Sequence, residues 1–192
     1  MRWTGTMASP AATVSRKQFD SHRFPIYCAH MRLRSEFPAA PPLAVSRWFN
    51  TDTAISLDDL AGQVVAIEAF QMLCPGCVSH GLPQAQRIAA NFASEVTVLG
   101  LHTVFEHHAV MTPDALRVFA HEYRLTFPIG IDRPSTQGAV PRTMAAYDLR
   151  GTPSLLLIDR QGRLRLNHFG ALDDLRAGAL IAQLLAEPVD SS

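Results

Sequence analysis

The stretch that most constrains this chain is Cys74-Pro75-Gly76-Cys77. It follows the apolar run Val64-Val65-Ala66-Ile67 and precedes a helical pattern, so it stands at a strand-to-helix junction. Two cysteines separated by two residues can exchange a disulfide, supply half of a metal site, or sit idle. The spacing suits exchange. On the first turn of a helix, residues i and i+3 share a face, so two sulfurs can approach bonding distance with little backbone movement. The first cysteine also meets the helix N-terminus, where unpaired N–H groups and the macrodipole favour a thiolate. Pro75 suits the first helical position, because it has no N–H to leave unsatisfied. Cys74 is therefore expected as the exposed nucleophile and Cys77 as the more buried resolving thiol.

At 192 residues and 47% hydrophobic content, the chain is long enough for one ordinary domain with a proper core. The 17 basic and 17 acidic residues give a formal net charge of +0, which leaves no electrostatic footprint for nucleic acid. All the basic residues except Lys17 are arginine. The third cysteine, Cys28, makes the count odd and implies no disulfide framework. No run approaches the roughly 18 apolar residues of a membrane span. The first ten residues lack the apolar core of a secretory signal. Taking Met1 as the start, the expected compartment is the cytoplasm, where a Cys-x-x-Cys pair cycles between states.

Residues 1–42 differ from the remainder. Arg2, Arg16, Lys17, Arg23, Arg32 and Arg34 face only Asp20 and Glu36, and five prolines break any periodicity. They are expected as a disordered N-terminal extension carrying Cys28, as an organelle transit peptide, or as sequence upstream of a true start at Met31. One domain is expected over residues 43–187, with a polar tail over 188–192. Trp48 and Phe49 mark an apolar strand or hook, and residues 57–62 a turn closed by glycine. Residues 64–70 read as a buried central strand that contains Glu68. From Cys77 a helix continues through Leu82, Ala85, Ile88, Ala89 and Phe92, with Gly81 and the kinking Pro83 inside it. Residues 96–101 form a second buried strand. Thr112 and Pro113 cap another helix, with Leu116, Phe119 and Tyr123 on its apolar face. A short extended piece at 127–131 and a helical turn or two at 144–149 follow. A strand is entered through Pro153, turns at Gly162 and returns as a hairpin. Asp173 and Asp174 open the last helix. Alternation followed by a terminal hairpin predicts an α/β fold, a mixed sheet with helices on both faces.

In this order and spacing the pieces resemble the thioredoxin fold, and within it the TlpA-like branch of thiol–disulfide oxidoreductases and redoxins. The pieces are the strand into Cys74-Pro75-Gly76-Cys77, Phe127-Pro128 before Asp132, Gly151-Thr152-Pro153, and Leu157-Ile158-Asp159-Arg160-Gln161-Gly162-Arg163. The resemblance implies a three-layer α/β/α domain and a cis Thr152–Pro153 bond beside the cysteine pair. The plainer alternative is a trans proline opening an edge strand. It also implies a buried carboxylate at Glu68 that takes a proton from Cys77; the alternative is a glutamate paired with arginine or exposed at a strand edge. Thr152, Pro153, Pro75 and Gly76 are then expected to shape the surface on which a partner docks. Leu73 replaces the family's usual tryptophan, Pro-Gly is not its common dipeptide, and Pro83 arrives one residue later than its helix proline.

Two rival activities are weighed against this reading. A peroxiredoxin places proline seven residues and threonine or serine three residues before its peroxidatic cysteine. Cys74 has Ile67 and Gln71 there, and Cys77 has Phe70 and Cys74. A Sco-like metal chaperone would draw on Cys74, Cys77 and His80, or on His102, Glu106, His107 and His108, but its motif has three residues between the cysteines. The sequence reading is thus a monomeric oxidoreductase without cofactor or metal, since the dithiol carries both electrons. Its partners would be protein disulfides or thiols and a reducing or oxidising partner, with no nucleic acid and no membrane span.

Overall fold

The structure is a computed structural model, and it describes residues 37–188. Six strands form one sheet: β1 (Val45–Phe49), β2 (Val64–Phe70), β3 (Val96–His102), β4 (Ile129–Asp132), β5 (Ser154–Ile158) and β6 (Leu164–Phe169). Their spatial order is β1-β4-β3-β2-β5-β6. β2 pairs parallel with β3 and antiparallel with β5, so the strand that leads to the cysteines lies in the interior of a mixed sheet. Every residue of β2 is buried, which is why it reads as a continuous apolar run and not as an alternation.

The helices are α1 (Leu82–Asn91), α2 (Pro113–Glu122), α3 (Arg142–Ala146) and α4 (Asp174–Ala186). The pleat of β2 sends Val64, Ala66 and Phe70 to one face, where they pack with Leu82, Ala85 and Ile88 of α1, Leu116 of α2, and Ile181 and Leu184 of α4. Val65, Ile67 and Ala69 go to the other face, against Met144 and Tyr147. The expected α/β/α layering is therefore present. The expected caps are present too: the Thr112 hydroxyl accepts from Ala115 N–H at 3.2 Å, and Asp173 accepts from Leu175 and Arg176 N–H.

The structure refines three local expectations. The apolar hook is a true strand, β1, antiparallel to β4, which is itself parallel to β3. The helical turn expected over 144–149 begins earlier, at Arg142, and ends at Ala146. The packed chain also begins before residue 43. Ala40 N–H donates to Gly162 O at 2.8 Å, Leu164 N–H donates to Pro38 O at 2.9 Å, and the Tyr147 hydroxyl donates to Pro41 O at 2.6 Å. Residues 1–36, with Cys28 and Met31, lie outside the described residues, as do residues 189–192. Among the described residues no helix is long and apolar enough to cross a membrane.

The helix after the cysteines is not α-helical from its start. Cys77–Gly81 form a wide π-turn, closed by Leu82 N–H donating to Cys77 O, before α1 begins. Pro83 then falls within the first two positions of α1, where its missing N–H costs little. The sequence places Pro83 as a kink inside one continuous helix; the structure places it at the start of a new segment behind a π-turn.

Candidate active site

β2 ends at Phe70, a short turn follows, and Cys74 stands at the mouth of the helix. Cys77 N–H donates to Cys74 Sγ at 3.2 Å, so a free N–H of the first helical turn points at that sulfur. The Cys74 thiol donates to the Thr152 carbonyl at 3.4 Å. Cys74 is half-buried, whereas Cys77 is fully buried, at 0% exposure. Both are free thiols in this structure. Burial pushes the Cys77 thiol far above its ordinary range; contact with Cys74 adds to the shift, and the Thr152 side chain and Gln71 backbone oppose it. The two sulfurs therefore share one helical face, one exposed and one covered.

The Thr152–Pro153 peptide is cis. Pro153 lies directly against the motif: a Cβ on Gly76 would stand 3.1 Å from Pro153 Cδ. Glycine at this position lets the prolyl ring approach the helix N-terminus. Beneath them lies Glu68, 2% exposed, on a strand flanked by β3 and β5 and paired with no arginine among the described residues. Its Oε1 has no hydrogen-bond partner among the described residues. Burial raises its carboxyl well above the usual range, and the nearby Cys74 raises it further. Gly81 of the π-turn covers it: a Cβ there would stand 2.9 Å from both Glu68 Cδ and Pro153 Cβ. The structure thus brings Cys74, Cys77, Glu68, Thr152, Pro153, Pro75 and Gly76 into one region of the fold.

Sequence reasoning passed over the groove beside Cys74. It has a volume of about 380 Å³ and is lined by Gln71, Leu73, Cys74, Pro75, Phe105, Glu106, His107, Gly151, Thr152 and Phe169. Leu73 is 58% exposed and Phe169 46% exposed, both large and apolar. The available signal was Leu73 itself, an apolar residue next to a reactive cysteine. Phe169 reaches the groove only through the β5–β6 hairpin.

The residues weighed for a metal centre do not converge. Among the described residues no three of His, Cys, Asp and Glu are grouped so as to hold an ion. His80 contacts Ser79 Oγ, His102 is buried against the Phe70 ring, and Glu106 accepts from Gln71.

A mixed sheet whose central strand delivers a Cys-x-x-Cys pair to a helix N-terminus, across from a cis-proline, defines a thioredoxin-fold protein of the redoxin type. The chain belongs to the AhpC/TSA family, which it matches over residues 39–167. It is similar to the crystal structure of the thioredoxin-like superfamily protein SPOA0173, at 60% identity and a TM-score of 0.77, over 78% of this chain and 97% of that one. It is also similar to a thiol-disulfide isomerase from Corynebacterium glutamicum, at 49% identity and a TM-score of 0.76, over 80% of this chain and 99% of that one. A curated relative, the thioredoxin-like protein YneN of Bacillus subtilis, is 25% identical over 117 residues; the match spans 61% of this chain and 62% of that protein.

Proposed function

We propose that this chain is a thiol–disulfide oxidoreductase that exchanges disulfides with protein or small-molecule thiols through Cys74 and Cys77. The observation that carries the reading is the asymmetry of the pair. One sulfur is half-buried and accepts a helix N–H at 3.2 Å; the other is fully buried, and the buried carboxylate of Glu68 lies where the charge of the first acts on it.

Each sulfur has its step. The Cys74 thiolate attacks a partner disulfide, forms a mixed disulfide and releases one partner thiolate. Cys77, whose thiol is held protonated by burial, needs a base before it can attack. Glu68 supplies it: a carboxylate whose proton affinity is raised by burial accepts the Cys77 proton more readily than an exposed one. The Cys77 thiolate then attacks Cys74 Sγ, closes the intramolecular disulfide and releases the second partner thiolate. Two electrons pass from the dithiol to the partner, and the reverse sequence oxidises a partner dithiol. Thr152, Pro153, Pro75 and Gly76 form the wall against which a partner's chain lies, and exposed Leu73 and Phe169 give it apolar footing.

Reduction of insulin disulfides tests the reading. Cys74→Ser should reduce it to the rate of the reductant alone, while Cys77→Ser should accumulate partners as mixed disulfides. Undiminished reduction by Cys74→Ser would refute the assignment. Hydrogen peroxide consumption by the wild type above the rate of a free thiol would move it to peroxidase chemistry.

A further inference from the structure

We propose that the cavity behind the dithiol is the proton exit of Glu68, and that His80 passes the proton between this cavity and bulk solvent. The inference rests on the oxidoreductase reading and assigns a residue that reading leaves without a role.

A base that takes the Cys77 proton in every turnover must also lose it. Glu68 has no direct route, being 2% exposed. Its unpartnered Oε1 instead belongs to a carboxyl group bordering a cavity of about 170 Å³, room enough for water. The cavity shares no lining residue with the docking groove, and Glu68, His80, Gln84, Arg87 and Asp174 supply its polar wall. Only the missing side chain of Gly81 leaves Glu68 open to it, since a Cβ there would occupy the approach to the carboxyl.

Of the polar groups in this wall, most are committed. Arg87 Nε pairs with Asp174 Oδ2 at 2.9 Å, and Gln84 Nε2 donates to Asp174 Oδ1 at 2.7 Å and to Leu172 O at 2.8 Å. The arginine and the aspartate offset one another's charge in the cavity wall, and Cys74 is the titratable group that acts on the carboxyl itself. His80 differs. Its Nδ1 lies 2.6 Å from Ser79 Oγ, and that hydroxyl donates its one proton to Pro75 O at 2.8 Å. The tautomer with Nδ1–H donating to Ser79 Oγ satisfies both contacts and leaves the lone pair on Nε2. An exposed imidazole whose Nδ1 is held by Ser79 is suited to hand protons to solvent through its other ring nitrogen.

The step balances. Cys77–SH and Glu68 carboxylate become thiolate and carboxylic acid. Glu68 then returns its proton through cavity water to His80 Nε2, and the resulting imidazolium gives a proton to bulk. The relay carries no electrons, and it runs in reverse when the disulfide is reduced.

The test mixes reduced protein with an aryl disulfide under stopped flow. The first aryl thiolate reports attack by Cys74 and the second reports resolution by Cys77. In weakly buffered solution at neutral pH, His80→Gln should slow the second phase about tenfold, leave the first unchanged, and be restored by added imidazole. In a Glu68→Gln background it should add nothing. An unchanged second phase, a defect that imidazole does not relieve, or an additive defect in Glu68→Gln overturns the relay. If Glu68→Gln itself leaves the second phase intact, the relay falls while the oxidoreductase reading stands; if Cys74→Ser keeps the first phase, the oxidoreductase reading falls.

Discussion

Two glycine-to-alanine changes, at Gly81 and Gly178, isolate the packing of Glu68 against the helix above it. Gly81 has φ −60° and ψ −57° at the end of the π-turn, and Gly178 lies inside α4, so both have right-handed helical backbone. On propensity alone each alanine would gain about 0.5–1 kcal/mol. At Gly178 nothing lies within 4 Å of the new Cβ, so that gain should be realised. At Gly81 the new Cβ would stand 2.9 Å from Glu68 Cδ and 2.9 Å from Pro153 Cβ. The carboxyl end of Glu68 can rotate away, but the prolyl ring is held between the Gly76 backbone and β5. Overpacking of this kind costs about 1–3 kcal/mol. The propensity gain at Gly81, at the end of a π-turn, is no larger than that at Gly178, so a deficit of Gly81→Ala reports the overpacking. Gly81→Ala should be less stable than Gly178→Ala by about 1–3 kcal/mol in urea unfolding at pH 7, with equal m-values. Equal or greater stability of Gly81→Ala would refute the close approach of helix, carboxylate and proline on which the site depends.

Two further outcomes are expected from the buried polar groups. His102 is 1% exposed, and burial depresses its imidazole from 6.5 to about 4, so the unfolded chain binds the proton first and folding stability is lost as pH falls through this window. Glu68 has the opposite sign: its raised folded value means that stability grows as pH falls toward 4.5. The two slopes offset one another, so the informative quantity is the difference between proteins. From pH 7 to pH 5, His102→Leu should gain about 2 kcal/mol relative to wild type in urea titrations, and a pH-independent difference would remove the assigned depression. Asp132, 3% exposed, accepts from Thr143 N–H at 2.8 Å, Met144 N–H at 2.9 Å and the Thr103 hydroxyl at 3.0 Å. Asp132→Ala strands these donors and should lower stability by about 3 kcal/mol or more, read from the urea midpoint; a loss under 1 kcal/mol would contradict the network.

What was legible in the sequence were the features set by local rules. The cysteine spacing, the Thr112–Pro113 cap, the hairpin around Gly162 and the buried run of β2 are each stated within a few consecutive residues, and all appear where the pattern puts them. That Glu68, Thr152 and Pro153 belong with the cysteine pair was legible only through the resemblance to the thioredoxin fold, because Cys74 and Thr152 lie 78 residues apart and no local pattern joins them. The strand character of β1 was harder to read, because its partner β4 lies far along the chain and the pairing crosses the sheet edge. Pro38–Pro41 read as breakers of periodicity, yet they pack through backbone and hydroxyl hydrogen bonds that no periodicity records. The groove escaped notice for a similar reason: Phe105 follows the end of β3 and Phe169 ends β6, and only the folded sheet brings both to Cys74.

The late arrival of Pro83 and the glycine inside the helix are one feature. An extra residue inserted into a strand would flip every following side chain to the opposite face. Inserted after Cys77, it is taken up instead by a π-turn, in which Leu82 reaches back five residues to Cys77 O. The dithiol upstream keeps its contact with Pro153, and Leu82, Ala85 and Ile88 downstream keep theirs with the core. The wide turn also sets Gly81 above Glu68 and His80 beside the cavity. A regular α-helix with the proline one place earlier would lack the additional position that Gly81 and His80 share between them. The π-turn thus sets Gly81 against the buried carboxylate and His80 in the wall of the adjoining cavity, the two positions on which the proposed proton path depends.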